Sequence, residues 1–365
     1  MAVFRFKKII GYLHLWLGLG SGLVVCIVAL TGALLVFEKD IDAYVTPQLY
    51  TVEKPSTTPV AMDILISHVK EIHPDYQIKQ LFSYANPKST LRIRAFDKFR
   101  QEHIIAVNPY TGDIQKDVLF KNRFFMVVLG LHRYLLMGAV GKWITGFSCF
   151  FFLIIMITGI ILWIPKKVKQ LKHRLKIKWN AKAKRLNWDV HVVGGFYVFP
   201  VILMIALTGL VWSFDTVENV LYYMTDGQPK PETVVLNRYQ PTTKPVSYAK
   251  ILQTTDSLFP GEGDLRCIID ITHPNNSIRV YKEYTHATIP NCRSYAYFDS
   301  ASGGLLQYTA YKNLSTGEKS RRAIYPIHIG SIGGRITQLI WLVVALFSCS
   351  LPITGFYIWW SKKRK

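Results

Sequence analysis

Four long apolar runs punctuate the chain, at residues 10–37, 143–164, 190–214 and 336–360. Each is long enough to cross a bilayer core as a helix, which takes ~20 residues. The first is longer than the apolar core of a signal peptide, about 7–15 residues, and no small-residue cleavage site follows it, so it reads as a retained span. Between the first and second runs, and again between the third and fourth, polar positions return in a regular order. Residues 60–72 carry the apolar spacing of an amphipathic helix. Alternation at 78–84, 90–95 and 103–107 predicts strands, and Asn108–Asp113 reads as a turn closing a hairpin. The second segment repeats this order, with a helix at 246–258, strands at 266–271, 277–282 and 293–298, and a turn at 299–304. The pattern predicts an all-α four-helix transmembrane bundle, internally duplicated from a two-span unit, with two α+β modules inserted between the paired spans. The expected divisions are a first span (1–37), a first module (38–122), an interfacial segment with span two (123–165), a loop (166–189), span three (190–214), a second module (215–323), and an interfacial segment with span four and a tail (324–365).

Composition agrees: half of the 365 residues are hydrophobic, and the mean hydropathy is +0.18. The formal charge of +21 suggests nucleic acid until its placement is examined. Arg5, Lys7 and Lys8 precede the first run, ten Lys and Arg lie between Lys166 and Arg185, and Lys362 to Lys365 end the chain, with Asp189 the only acid in these segments. Short Lys/Arg-rich loops face the cytoplasm. Both termini and the middle loop are therefore expected inside and the two modules outside, as in a multi-pass protein of a bacterial cytoplasmic membrane. The basic excess then serves topology and anionic lipid headgroups, and no nucleic-acid partner is expected. Five cysteines make no disulfide framework. Cys26, Cys149 and Cys349 lie in spans as small hydrophobes, whereas Cys267 and Cys292 share the second module, where an oxidising compartment would permit pairing.

The candidate chemistry lies in four histidines. His14 precedes Thr31-Gly32 by 17 residues and His191 precedes Thr208-Gly209 by 17; His132 precedes Thr158-Gly159 by 26 and His328 precedes Thr354-Gly355 by 26. Ionisable side chains at membrane depth are costly and mark functional sites. Span direction puts His14 with His191 near the inner face and His132 with His328 near the outer face. A hydrocarbon core of ~30 Å separates the pairs, which argues against one four-histidine zinc site. Two separate two-ligand sites suit two haem groups (haem b), since a porphyrin supplies four nitrogens and the protein adds axial ligands. Gly18 and Gly195 each follow a histidine by four residues, on the same helical face, leaving room for a flat macrocycle. Gly20, Gly22 and Gly194 add to that room. Arg133 and Arg335 outside, and Lys8 and Arg185 inside, are the cations placed to meet propionates. The Thr-Gly pairs read as helix-packing or kink positions. Gly141–Thr145 resembles Gly333–Thr337, and Thr145-Gly146 fits no position of the repeat. His68, His73, His103, His173, His273 and His286 show no ligand spacing and are expected to face solvent.

The marks Leu13-His14-Leu15-Trp16-Leu17-Gly18 with Leu30-Thr31-Gly32, Leu131-His132-Arg133 with Ile157-Thr158-Gly159, His191 with Leu207-Thr208-Gly209, and Ile327-His328-Ile329-Gly330 with Ile353-Thr354-Gly355 resemble the PepSY-associated transmembrane family. Val107–Ile114 is similar to the closing hairpin of a PepSY module, and Phe298–Leu305 is a more divergent copy. The family includes iron-regulated inner-membrane proteins and di-haem reductases of ferric siderophores. The resemblance implies two bis-histidine haems, with His14, His191, His132 and His328 as ligands. It also implies electron transfer from the cytoplasmic side to a ferric siderophore or other ferric chelate outside, the work of a haem-dependent ferric-siderophore reductase. No dinucleotide-binding Gly-x-Gly-x-x-Gly is present, so a quinol or a separate reductase is the expected donor, and outer-sphere transfer needs no catalytic nucleophile or base. The alternative is a non-redox membrane protein whose modules bind or regulate a partner. A transporter built on repeats ranks below both, because the spans lack paired carboxylates.

Overall fold

The structure is a computed structural model that describes residues 2–56, 58–232, 245–269 and 277–363. In chain order its helices begin with α1 (Ala2–Leu35), α2 (Glu38–Val45), α3 (Met62–Ile72), α4 (Phe124–Tyr134), α5 (Gly138–Trp163) and α6 (Leu171–Arg174). There follow α7 (Ala183–Asp189), α8 (Gly195–Ser213), α9 (Asp215–Asp226), α10 (Tyr248–Leu258), α11 (Thr316–His328) and α12 (Gly334–Lys363). The strands of the first half are β1 (Gln77–Ser83), β2 (Leu91–Phe96), β3 (Glu102–Val107) and β4 (Ile114–Leu119). Those of the second are β5 (Gly263–Ile268), β6 (Ile278–Tyr284), β7 (Arg293–Phe298) and β8 (Leu305–Thr309). Asp270 and Ile271 of the expected 266–271 strand, and Arg364 and Lys365 of the tail, lie outside the described residues. Two compact units result: Met1–Phe37 with Val127–Val220 and Ile324–Lys365, and Glu38–Met126 with Leu221–Ala323.

The first unit is a helical bundle. Its stretches Arg5–Leu35, Gly138–Trp163, Ala183–Ser213 and Ser331–Lys363 are each long and apolar enough to cross a membrane. The four long helices form a ring: α1 packs on α5 and α12, and α8 packs on the same two. Thus α1 and α8 are diagonal, as are α5 and α12. The inward face of α1 is set by spacing, since His14, Gly18, Ser21, Gly22 and Val25 recur at helical intervals, while Tyr12, Leu13 and Trp16 point outward and are exposed. Met156, Ile202, Ala206 and Val344 form an apolar cluster inside the ring. Small hydroxyl residues inside the bundle satisfy themselves on their own helices, as Ser21 Oγ does by donating to the Leu17 carbonyl at 2.8 Å and Ser348 Oγ to that of Val344 at 2.6 Å.

In the second unit, the two helix-plus-sheet halves expected as separate modules share one sheet. It is antiparallel throughout and eight-stranded, in the order β4-β3-β2-β1-β5-β6-β7-β8. The seam is the β1–β5 pair, with Leu81 opposite Cys267 and Phe82 opposite Arg266. Each half alone would expose its first strand as an unpaired edge, a template for aggregation, and joining the two edges removes both. Helices α3 and α10 lie on one face, where Leu65, Val69 and Ile251 pack against Ile93, Ile105, Val280 and Ala296. A further tie crosses the halves: Asp63 in α3 accepts from the backbone N–H groups of Tyr248 (2.7 Å) and Ala249 (3.2 Å), and from Ser247 Oγ, at the start of α10. Cys267 and Cys292 are free thiols; Cys267 is wholly buried in the core and Cys292 Sγ donates to the Ile289 carbonyl.

Candidate functional site

The ring of helices brings the four histidines together in diagonal pairs. His14 on α1 meets His191 from the α8 side, with ring centroids 6.3 Å apart and planes at 88°. His132, at the end of α4, meets His328, at the end of α11, also at 6.3 Å and with planes at 67°. Along α1, the 17 residues from His14 to Thr31 span about 26 Å at 1.5 Å per residue, so the two pairs lie near opposite ends of the bundle. His191 sits in a single π-helical turn, Val190–Gly194, between α7 and α8. Such turns widen the helix by one residue and recur at functional sites. Trp212 abuts His328 edge-on, with centroids 5.1 Å apart.

Each imidazole is held through Nδ1 by the Thr-Gly pair of a neighbouring span. His14 Nδ1 lies 3.0 Å from Thr158 Oγ1 and 3.0 Å from the Ile155 carbonyl. His132 Nδ1 reaches Thr31 Oγ1 at 3.1 Å and the Val28 carbonyl at 3.0 Å. His328 Nδ1 reaches Thr208 Oγ1 at 2.9 Å and the Ile205 carbonyl at 3.1 Å. His191 Nδ1 lies 2.9 Å from Thr354 Oγ1. All four threonine hydroxyls spend their proton on carbonyls of their own helix, as Thr158 does on Ile154 at 2.8 Å and Ile155 at 2.9 Å. Oγ1 can therefore only accept, as can a carbonyl, and Nδ1 must carry the ring proton. Nε2 is left unprotonated, with no hydrogen-bond partner among the described residues.

The glycine of each pair completes the seat. A Cβ on Gly32 would stand 3.1 Å from His132 Cε1, one on Gly159 3.2 Å from His14 Cε1, one on Gly355 3.2 Å from His191 Cε1, and one on Gly209 3.5 Å from His328 Cε1. The Thr-Gly pairs, expected as packing or kink positions, are thus histidine seats. The unmatched Thr145 has its own role. Thr145 Oγ1 donates to the Arg133 carbonyl at 2.9 Å, and Thr337 Oγ1 donates to the Gly330 carbonyl, so each clasps the end of a histidine-bearing helix. This explains why Gly141–Thr145 resembles Gly333–Thr337. The turns they close are left-handed: Gly330 has φ +74°, while in the first half Leu135 and Leu136 bear φ +48° and +58° without glycine's freedom.

The other expected site residues divide. Gly18 and Gly20 open onto empty space, and Gly195 has only Leu351 nearby, 3.7 Å from where its Cβ would be. Gly194 and Gly22 make no such room, because Phe347 fills the space beside Gly194 and Pro352 packs on Gly22. Arg133 is exposed and lies 5.0 Å over the Tyr134 ring, with no ion pair among the described residues. Lys8 is exposed, Arg335 lies 5.9 Å over the Phe37 ring, and Arg185 is engaged by buried Asp189 at 2.9 Å. Among the histidines expected in solvent, His173 and His286 are exposed and His273 lies outside the described residues. His68 instead bonds the Gly112 carbonyl at 3.0 Å. His103 sits between Asp117 (2.8 Å) and Asp97 (3.5 Å), and His73 stacks on Tyr76 beside it. Burial leads the causes that push the Tyr76 hydroxyl up to about 12.

Within each pair the ring centroids lie 6.3 Å apart, close to the spacing two imidazoles would take on one metal ion. A metal–imidazole bond is about 2.0–2.1 Å and the nitrogen stands about 1.2 Å from its ring centre, so two imidazoles on opposite sides of one metal ion have centroids about 6.4 Å apart. No third His, Cys, Asp or Glu joins either pair to form a metal-binding group among the described residues. Each place thus holds two imidazoles and no further side chain of ligand type among the described residues.

Four spans, paired intramembrane histidines and a sheet unit define an integral membrane protein of duplicated design. The family model of the PepSY-associated TM region matches residues 12–362, and the chain belongs to that family. A comparison with curated proteins finds no match.

Proposed function

We propose that the chain holds two haem b groups, one between His14 and His191 and one between His132 and His328, and carries electrons across the cytoplasmic membrane to ferric chelates such as ferric siderophores. The observation that carries this reading is the twice-repeated 6.3 Å pair of Nδ1-protonated imidazoles with bare Nε2. The four histidines would hold the two groups, a porphyrin would supply the nitrogens that the protein lacks, and its iron would supply single-electron transfer.

The chain's own residues do the rest. Thr31, Thr158, Thr208 and Thr354 fix each ring's tautomer and orientation, and by accepting from Nδ1–H they make Nε2 the more basic nitrogen. Gly18 and Gly195 leave space beside the His14–His191 pair. Ile202 and Ala206 lie between His191 and Thr208 in α8, in an apolar cluster that keeps water and ions from leaking between the two sites. Arg133, exposed and without an ion pair among the described residues, would be a cation available to a propionate at the His132 site. The basic segments, placed inside by the positive-inside rule, orient the His14–His191 pair toward a quinol or reductase and the His132–His328 pair toward the acceptor. Reduction releases chelated iron because Fe²⁺ is less charged and softer than Fe³⁺ and holds oxygen ligands less tightly.

The test is haem quantitation and visible spectroscopy on protein produced with ample iron and haem precursor. Two haems per chain are expected. Replacing His14 or His191 by Ala removes one of them, and replacing His132 or His328 removes the other. A colourless preparation, or loss of the same haem on changing His14 and His132, refutes the reading.

A further inference from the structure

The sheet has a second face, opposite α3 and α10, and it is basic and aromatic. One register row crosses five strands and the seam between the halves: Arg92 on β2, Phe82 on β1, Arg266 on β5, Tyr281 on β6 and Tyr295 on β7. The guanidiniums lie over the rings. Arg92 is 4.3 Å from Tyr84 and 4.6 Å from Tyr50, Arg266 is 4.4 Å from Phe82, Arg293 is 4.5 Å from Tyr281, and Arg322 is 4.3 Å from Tyr295.

Acids do not balance these charges. Arg293 has Glu283 at 2.7 Å, and neighbouring Arg94 has Glu102 at 2.6 Å. Arg266 donates to Gln80 Oε1 and the Tyr281 hydroxyl, and Arg322 to the Tyr295 hydroxyl, all neutral acceptors. Among the described residues the Arg92 side chain has neither ion pair nor hydrogen bond, and the Nε atoms of Arg92, Arg266 and Arg322 are buried without partners. Asp264, the nearby acid, accepts from the Ala85 N–H at 3.0 Å, and burial raises its pKa. Burial also pushes Tyr84 up to about 12, so that tyrosine stays neutral. Three half-buried guanidiniums in and beside one row repel each other. They also present the planar donor forks that match carboxylate oxygens, between rings that offer flat apolar contact.

We propose that this face binds anionic metal chelates, in which carboxylates wrap a trivalent ion and leave a net negative charge. The metal in the chelate rests on the electron-transfer reading; the negative charge rests on the unpaired arginines.

The probe is gallium(III) citrate, since gallium matches the charge of ferric iron but is not reduced, so binding is read without electron transfer. Calorimetric titration of the full-length protein in detergent should show binding that weakens as salt rises. A neutral gallium trihydroxamate should bind about tenfold more weakly or worse, and Arg92→Gln with Arg266→Gln should weaken the citrate complex by about tenfold or more. Arg92→Lys, which keeps the charge but loses the fork, should fall between. Equal affinity for the neutral complex overturns the proposal. So does metal-free citrate binding as tightly as the gallium complex, or an unchanged affinity in the double variant. If the double variant melts early, the charge and salt comparison on the wild type decides. The visible spectrum of the same samples separates the two readings: binding without haem sinks the electron-transfer proposal alone, and haem without binding sinks this one.

Discussion

A threonine hydroxyl has one proton, and in all four spans that proton goes to the preceding turn of its own helix. This leaves the oxygen as a pure acceptor and decides which nitrogen of the facing imidazole is free. Thr158→Val keeps the shape and deletes the acceptor, so His14 is held by the Ile155 carbonyl alone. On the haem reading proposed above, haem transfer from this variant to an apo-globin acceptor should quicken by about 10–100-fold, the usual cost of losing a hydrogen-bond partner behind a ligating imidazole, while Thr158→Ser should restore retention. Gly159→Ala should have a like effect through a different cause, because its Cβ would stand 3.2 Å from His14 Cε1. The histidines were legible in the sequence because imidazole within apolar runs is costly and seldom present without a use. The work of the threonines was not, since His14 and Thr158 are separated by 144 positions and meet only across two helices.

Helix-to-helix turns show the same division. The α4–α5 connection brings the Tyr134 carbonyl to 1.6 Å from where a Gly141 Cβ would be, which no side chain can share. Gly141→Ala should destabilise the protein by more than ~3 kcal/mol, since backbone rather than a flexible side chain must move. Gly11→Ala, with nothing within 4 Å, should leave the melting temperature near wild type. Comparing the two by thermal unfolding in detergent tests the packing directly; equal losses would contradict it. The strands and helices of the sheet unit were readable from period-two and helical spacing. The short helices α2, α9 and α11 were not foreseen, because their residues are polar and lack a long apolar stripe.

At the scale of the molecule, duplication makes both sites and one sheet. Each half supplies one histidine to each pair, and each half lends its first strand to the seam. Amide exchange should therefore be slowest in β1 and β5, buried at the centre of eight strands, and fastest in the edge strands β4 and β8. Rapid exchange at β1 would mean two separate sheets. Apolar periodicity and local spacing sufficed for the spans, for the repeat and for singling out the four histidines that the bundle brings into pairs, because those properties live within a few helical turns. Which diagonal helices face each other, which hydroxyl seats which imidazole, how two modules become one sheet, and where unpaired arginines gather all depend on contacts between residues a hundred or more positions apart. Such contacts form only when distant segments pack, within each half for the threonine seats and between the halves for the histidine pairs and the sheet seam, so they were decided by packing.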